Sequence, residues 1–348
     1  MMKLSIFFSI FDKSSSNLII YFDIFSFFIY NLNKELNGYG GCFMKSFLEG
    51  VINRNKYMCE LGKVADYIPG LSTANKSHLG ICIIDTSGEI VIAGDADIKF
   101  TLQSISKPLT LMLALLDRGE KYVFSKVGME PSGDAFNSIR KLETGRMRKP
   151  FNPMINAGAI EVCSMIKGKD SSEKFERVLN FIRLISENNN LKVNEDIYSG
   201  EKETGNKNRS MAYFLKGEGL ITGDVEDVLD IYFKQCSIEV TAIDLAKIGL
   251  FLARGGVLKN GDRIVSEHIA TIAKTLMTTC GMYDGSGEFA IKVGIPSKSG
   301  VGGGILSVIP GKMGVGIFGP SLDLKGNSIG GIAVLEEIAE NFKFSIFN

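Results

Sequence analysis

Residues 103–107 read Gln-Ser-Ile-Ser-Lys and stand at the mouth of a long apolar run. Ser104 and Lys107 are three positions apart, so on a helix they share one face. A lysine amine beside a serine hydroxyl is what a serine nucleophile needs when no histidine serves as its base. The chain has two histidines, His78 and His268. A Ser-His-Asp triad is hard to build from so few, and a Ser-Lys mechanism is the leading chemistry. At a helix start the free N–H groups and the dipole favour developing negative charge, and the Ser104 amide can serve as one arm of an oxyanion hole. Ser106 adjoins Lys107 and does not face it. The plain alternative makes Ser104 a helix cap and Lys107 a surface lysine.

Downstream, Lys298-Ser299-Gly300 precedes the glycine-rich stretch Val301–Gly304, read here as a strand whose bare backbone admits close approach of a ligand. Ser-x-x-Lys followed by Lys-Ser-Gly is the layout of the penicillin-recognising serine enzymes. A tight turn with a bulge is the structural alternative, and no phosphate-loop pattern fits. Polar groups punctuate the middle of the chain. Asn152 and Asn156 enter a small, apolar stretch, Glu201 to Asn208 read as a polar turn before a helix, and Tyr232 and Tyr283 offer hydroxyls.

The elements that must position these groups follow from periodicity and breakers. A helix is expected over about 46–61, and a hairpin over Leu79–Ile84 and Glu89–Ala93 around an Asp85-Thr-Ser-Gly88 turn. A helix starts at Ser104, with Pro108 tolerated in its first turn. Helices dominate to about Met282, among them Glu173–Ile185 capped by Ser171 or Ser172, and Ala242–Ala253 capped by Thr241 and stopped at Gly255-Gly256. Strands then return at Phe289–Val293, Gly304–Ile309 and Val315–Phe318, before a closing helix Ile332–Phe342. Strands at both ends around a helical middle predict one antiparallel sheet assembled from the N- and C-terminal segments, an α/β fold of the α+β type.

Composition narrows the function classes. The 348 residues are 45% hydrophobic and 22% charged, with 39 basic and 39 acidic side chains. No basic stripe points to nucleic acid. Six cysteines stand singly, without Cys-x-x-Cys, and read as reduced core thiols of a cytoplasmic protein. A metal site is not expected. Residues 1–43 are apolar but fit neither a signal peptide nor a spanning helix, and are read as a non-core extension, with Met44 as an alternative start of the true protein.

Seven segments, in order, resemble the serine-dependent glutaminases, β-lactamase-related enzymes that hydrolyse L-glutamine. They are Gly62–Pro69, Gln103–Lys107, Glu130–Gly133, Asn152–Ile160, Gln235–Val240, Cys280–Asp284 and Pro296–Val301. The resemblance implies a β-lactamase/DD-peptidase-like domain over 44–348. Its sheet would come from about 62–100 and 285–348, and its helical subdomain from about 104–282. It implies Ser104 as nucleophile, Lys107 as base and Tyr283 as a proton carrier. Tyr67, Gln103, Ser104, Asn156, Glu201, Asn208, Tyr232, Tyr283 and Val301 fall on the family's substrate-contacting positions. The family has Ser before the glutamate and favours Arg before the asparagine; this chain has Gly200 and Lys207. A cytoplasmic homo-oligomer, dimer or tetramer, is expected, with no cofactor, no metal and no membrane or nucleic-acid partner. The alternatives are a penicillin-interacting hydrolase, against which the missing Ser-Asp-Asn between the lysine motifs argues, and a ligand sensor that does not turn over.

Overall fold

A computed structural model describes residues 40–139, 142 and 148–348. The chain forms two compact units, 1–44 and 45–348, and the second is described below. Apart from the start of the first helix, the expectation for residues 1–43 lies outside the described residues.

In chain order the elements are α1 (Gly40–Asn55), β1 (Gly80–Asp85), β2 (Ile90–Gly94), β3 (Phe100–Thr101), α2 (Ser106–Arg118), α3 (Glu120–Lys126), α4 (Asn156–Met165), α5 (Ser171–Ile185), α6 (Glu195–Thr204), α7 (Asn206–Gly217), α8 (Val225–Cys236) and β4 (Glu239–Val240). Then follow α9 (Ala242–Ala253), α10 (Glu267–Cys280), α11 (Ser286–Lys292), β5 (Ser297–Ser299), β6 (Gly304–Ile309), β7 (Met313–Phe318) and α12 (Ile329–Phe342).

The sheet runs β2-β1-β7-β6-β5, antiparallel throughout, and joins both ends of the domain as the strand pattern predicts. The β1–β2 hairpin closes where Asp85 Oδ1 accepts from the amides of Ser87 (2.8 Å) and Glu89 (3.0 Å). β2 lies at the edge and alternates exposed and buried positions, whereas β6 and β7 are buried at every position. Helix α9 covers one face at backbone contact. A Cβ on Gly314 would sit 2.0 Å from the Leu250 amide nitrogen, and one on Gly316 1.9 Å from the Ala242 carbonyl. Only glycine permits that approach. On the opposite face α12 packs Gly331 beside Ile305 and Ile317. Helix α2 is buried continuously from Ser106 to Leu115 and forms the centre of the helical layer.

Three local expectations are corrected. Phe289–Val293 is not a strand: it falls in and just after α11, with Phe289 and Val293 buried four apart and Ile291 89% exposed, a helical period. Val301–Gly303 is a turn, and the strand starts at Gly304. Helix α5 is capped by Asp170, whose carboxylate accepts from the Glu173 amide, so Ser171 is already helical. Thr241 does cap α9, in a reciprocal capping box with Asp244. Among the described residues no helix is long and apolar enough to cross a membrane, and Cys59, Cys82, Cys163, Cys236 and Cys280 are free and buried.

Candidate active site

The segment entering Ser104 is held from two sides. β3 pairs with β4, and the Leu102 amide donates to Ile238 O at 2.9 Å. The turn between β5 and β6 presses on the same segment: a Cβ on Gly300 would lie 2.6 Å from Leu102 O, and one on Gly302 2.7 Å from Thr101 O. Gln103 to Ile105 form a single 3₁₀ turn, and α2 begins at Ser106, two residues after the helix start expected at Ser104. Gln103 has φ 49°, a left-handed backbone that costs a non-glycine residue about 1 kcal/mol or more and tends to occur where function fixes geometry. The Ser106 hydroxyl donates to Gln103 O at 2.7 Å and is fully buried. Ser104 is left as the serine facing the Tyr283 phenol.

Lys107 is buried, and its Nζ donates to Asn156 Oδ1 at 2.7 Å and to Met154 O at 3.2 Å. Burial lowers its pKa to about 8, against the attraction of Glu201, which acts to raise it. No hydrogen bond between Ser104 and Lys107 occurs among the described side chains. The stoichiometry is nonetheless informative. A neutral amine has two N–H groups and one lone pair. Two acceptors take both N–H groups and leave the lone pair free.

Tyr283 also has a left-handed backbone, φ 55°. Its ring packs 4.7 Å from Phe136 and 4.4 Å from Lys298 Nζ, centroid distances. Its buried hydroxyl makes no full hydrogen bond. Burial pushes the phenol's pKa up, while the nearby Ser104 hydroxyl and Val301 backbone pull the other way. Lys298, on β5, is fully buried and donates to Gly281 O (3.0 Å) and Ser299 O (2.6 Å). Burial, and then Lys107, hold its pKa well below the usual lysine value.

Glu201 sits on α6, a helix and not the polar turn expected of 201–208. Asn194 caps that helix. Its carboxyl is buried and raised to about 7 by that burial, with a Gln103 hydrogen bond and Lys107 opposing. The departure at Gly200 has a steric reason: a Cβ there would lie 2.9 Å from Pro69 O. Tyr67, two residues before Pro69, is half exposed as a residue, yet burial and then Glu201 raise its phenol. Asn208, on α7, accepts from Asn156 Nδ2 at 3.0 Å, so Lys107, Asn156 and Asn208 form one chain. Lys207, the other departure, points to Asn137 Oδ1 at 3.1 Å. Tyr232 is buried on α8, and burial, Cys236 and Glu201 all raise its phenol. Tyr283 and Val301 pack in one apolar cluster with Ile68, Leu71 and Ile197.

Phe136 and Lys298 were not among the expected site residues. Lys298 lay in a motif already noted, but its burial against Tyr283 has no signal in sequence. Phe136 lies three residues past the matched Glu130–Gly133 segment. Its ring is 5.9 Å from Lys107 Nζ, and its carbonyl accepts from the Asn156 amide at 2.9 Å.

The family model for glutaminase matches residues 62–347. The chain belongs to the glutaminase family. A glutaminase of Fusobacterium nucleatum is 60% identical over 304 residues, 87% of this chain and 100% of the relative. Glutaminase 2 of Clostridium perfringens is 56% identical over 305 residues, with the same 87% and 100% coverage. The crystal structure of a probable glutaminase from Bacillus subtilis superposes with a TM-score of 0.82 at 38% identity, covering 87% of this chain and 97% of that one. A Bacillus subtilis glutaminase in covalent complex with 5-oxo-L-norleucine gives 0.80 at 36% identity, covering 87% and 99%. The glutaminase neighbours carry the β-lactamase-like fold that the strand order predicts, and this domain shares it.

Proposed function

We propose that this chain hydrolyses L-glutamine to L-glutamate and ammonia through an acyl-enzyme on Ser104, with Lys107 as base. The buried Lys107 amine carries this reading: its pKa of about 8 makes the neutral form accessible near neutral pH, and its two N–H groups are engaged. The neutral amine takes the Ser104 proton as Oγ attacks the side-chain amide carbon. The Ser104 and Val301 amides hold the oxyanion. The tetrahedral intermediate collapses as Lys107, with Tyr283, passes a proton to the nitrogen, which leaves as ammonia. Water then gives a proton to Lys107, attacks the ester and releases glutamate, restoring the Ser104 hydroxyl.

Glu201 suits the substrate's α-ammonium, because a buried carboxylate is best stabilised by a cation. Asn156, Asn208 and Tyr232 offer donors to the α-carboxylate, and Tyr67 and Gln103 flank Glu201. An analogue lacking either charge leaves one of these groups unpaired. Buried free thiols support a cytoplasmic location, and the family resemblance supports a homo-oligomer, dimer or tetramer, which sedimentation measures.

The test compares Ser104→Ala with Ser106→Ala. The first is expected to lose ammonia release by up to ~10⁶-fold, as when a serine nucleophile is removed elsewhere, and to escape covalent labelling by 6-diazo-5-oxo-L-norleucine. The second is expected to keep turnover. Near-normal turnover by Ser104→Ala overturns the mechanism. A single labelling event without sustained ammonia release makes the protein a sensor.

A further inference from the structure

We infer that Asn152 is a positioning residue for Lys107, fixing the two acceptors that orient its amine. Asn152 is buried to 1% exposure and touches no reacting group. Its Oδ1 accepts from the amides of Met154 (2.9 Å) and Ile155 (3.2 Å), and its Nδ2 donates to Glu130 O at 2.8 Å. The first two bonds close an Asx-type turn over 152–155. That turn sets where Met154 O and Asn156 Oδ1 point, and these are the two partners of Lys107 Nζ.

The third bond ties in a second wall. Glu130 starts the segment that carries Phe136, whose ring lies against Lys107 and whose carbonyl holds the Asn156 amide. The same two strands of chain are joined again by Gly128 N to Pro150 O at 2.7 Å and Glu130 N to Phe151 O at 3.0 Å. Gly158 permits the turn to seat on α4, since a Cβ there would lie 1.9 Å from Asn152 O. A cavity of about 230 Å³ adjoins this wall, lined among others by Phe136, Asn152, Met154 and Tyr283. Asn152 and Met154, whose carbonyl accepts from Lys107, thus both line a space large enough for several waters.

The consequence is specific. Without the side chain, the buried Met154 amide and the part-buried Ile155 amide lose their acceptor, the turn loosens, and water reaches the amine. Burial is the largest influence holding Lys107 below its usual value, so wetting it returns the amine toward the ammonium form.

The inference rests on Lys107 being the base, and the experiment separates the two. The pH profile of kcat is measured for the full-length chain, for Asn152→Ala and for Asn152→Ser, whose hydroxyl can restore a weaker turn without adding charge. Wild type is expected to gain activity as pH rises through about 8. Asn152→Ala is expected to lose ~10–100-fold in kcat from misplacement alone, with the midpoint moved up by roughly half a pH unit or more and KM within about threefold. Asn152→Ser is expected to lie between, and carries the test if the alanine variant does not fold. A wild-type profile with no such limb defeats the reading of Lys107. A wild-type limb left in place by both variants, whatever their kcat or melting temperature, defeats the positioning role alone.

Discussion

Lys298 Nζ lies 4.4 Å from the centroid of the Tyr283 ring, and its hydrogen bonds to Gly281 O and Ser299 O fix the amine across that ring. Gly281 ends α10 just before the Tyr283 turn, and Ser299 ends β5 just before Val301. One side chain thus joins the end of β5, two residues before Val301, to the turn bearing the Tyr283 phenol.

Lys298→Met keeps the length and apolar stem but removes both donors. It is expected to lower kcat, and Tyr283→Phe is expected to add little on top of it. A double-mutant cycle reads the coupling, expected at roughly 1–2 kcal/mol. Strict additivity of the two changes would show that Lys298 acts independently of Tyr283.

Glu201 should give glutamine hydrolysis an acidic limb. Burial raises its carboxyl to about 7, so the carboxylate proposed to attract the α-ammonium is lost as pH falls through that value. kcat/KM should therefore drop below about pH 7 through a rise in KM. Glu201→Gln is expected to cost roughly 2–5 kcal/mol in kcat/KM and to abolish the limb. It should also narrow the gap between glutamine and its N-acetyl derivative. An unchanged ratio between these two substrates removes Glu201 from the site.

Glu161 predicts a pH-dependent stability unrelated to catalysis. It is buried on α4, burial raises its carboxyl from 4.5 to about 7, and its Oε2 has no hydrogen-bond partner among the described residues. A raised carboxyl binds more protons folded than unfolded between those values, so stability falls as pH rises from 4.5 through about 7. Glu161→Gln should remove that fall. Denaturant unfolding at about pH 5 and about pH 8 should show the wild type losing ~1–3 kcal/mol more than the variant. Equal losses would mean that the carboxyl is relieved in the fold.

A chain begun at Met44 should keep its kcat/KM and melting temperature. The family model spans 62–347, and α1 retains its buried Leu48, Val51 and Ile52. Loss of either quantity would place residues 1–43 in the working protein.

Much of this was readable in advance, for identifiable reasons. Ser104 and Lys107 are three apart, across the 3₁₀ turn and the first residues of α2, and a hairpin around Asp85-Thr-Ser-Gly88 is local chemistry. What the sequence hid depends on distant neighbours. The polar run 201–208 looks like a turn, but Asn194 caps a helix through Glu201, and the break falls at Gly205. Phe289–Val293 is β-prone in composition, and only its burial period reveals α11. Lys298 is a charged residue by type and a buried one in place, because carbonyls from Gly281 and Ser299 converge on it.

The strand order also dictates when the protein can become itself. β1 is paired on one side by β2 within a few residues, but its other side belongs to β7, residues 313–318. During synthesis the hairpin emerges early and must wait, with an unpaired edge, for nearly the whole remaining chain. Ser104 and Val301, proposed as nucleophile and oxyanion amide, likewise lie in segments made early and late. A product truncated before β7 therefore holds a sticky β1 edge without a partner, the condition in which nascent chains aggregate or recruit chaperones.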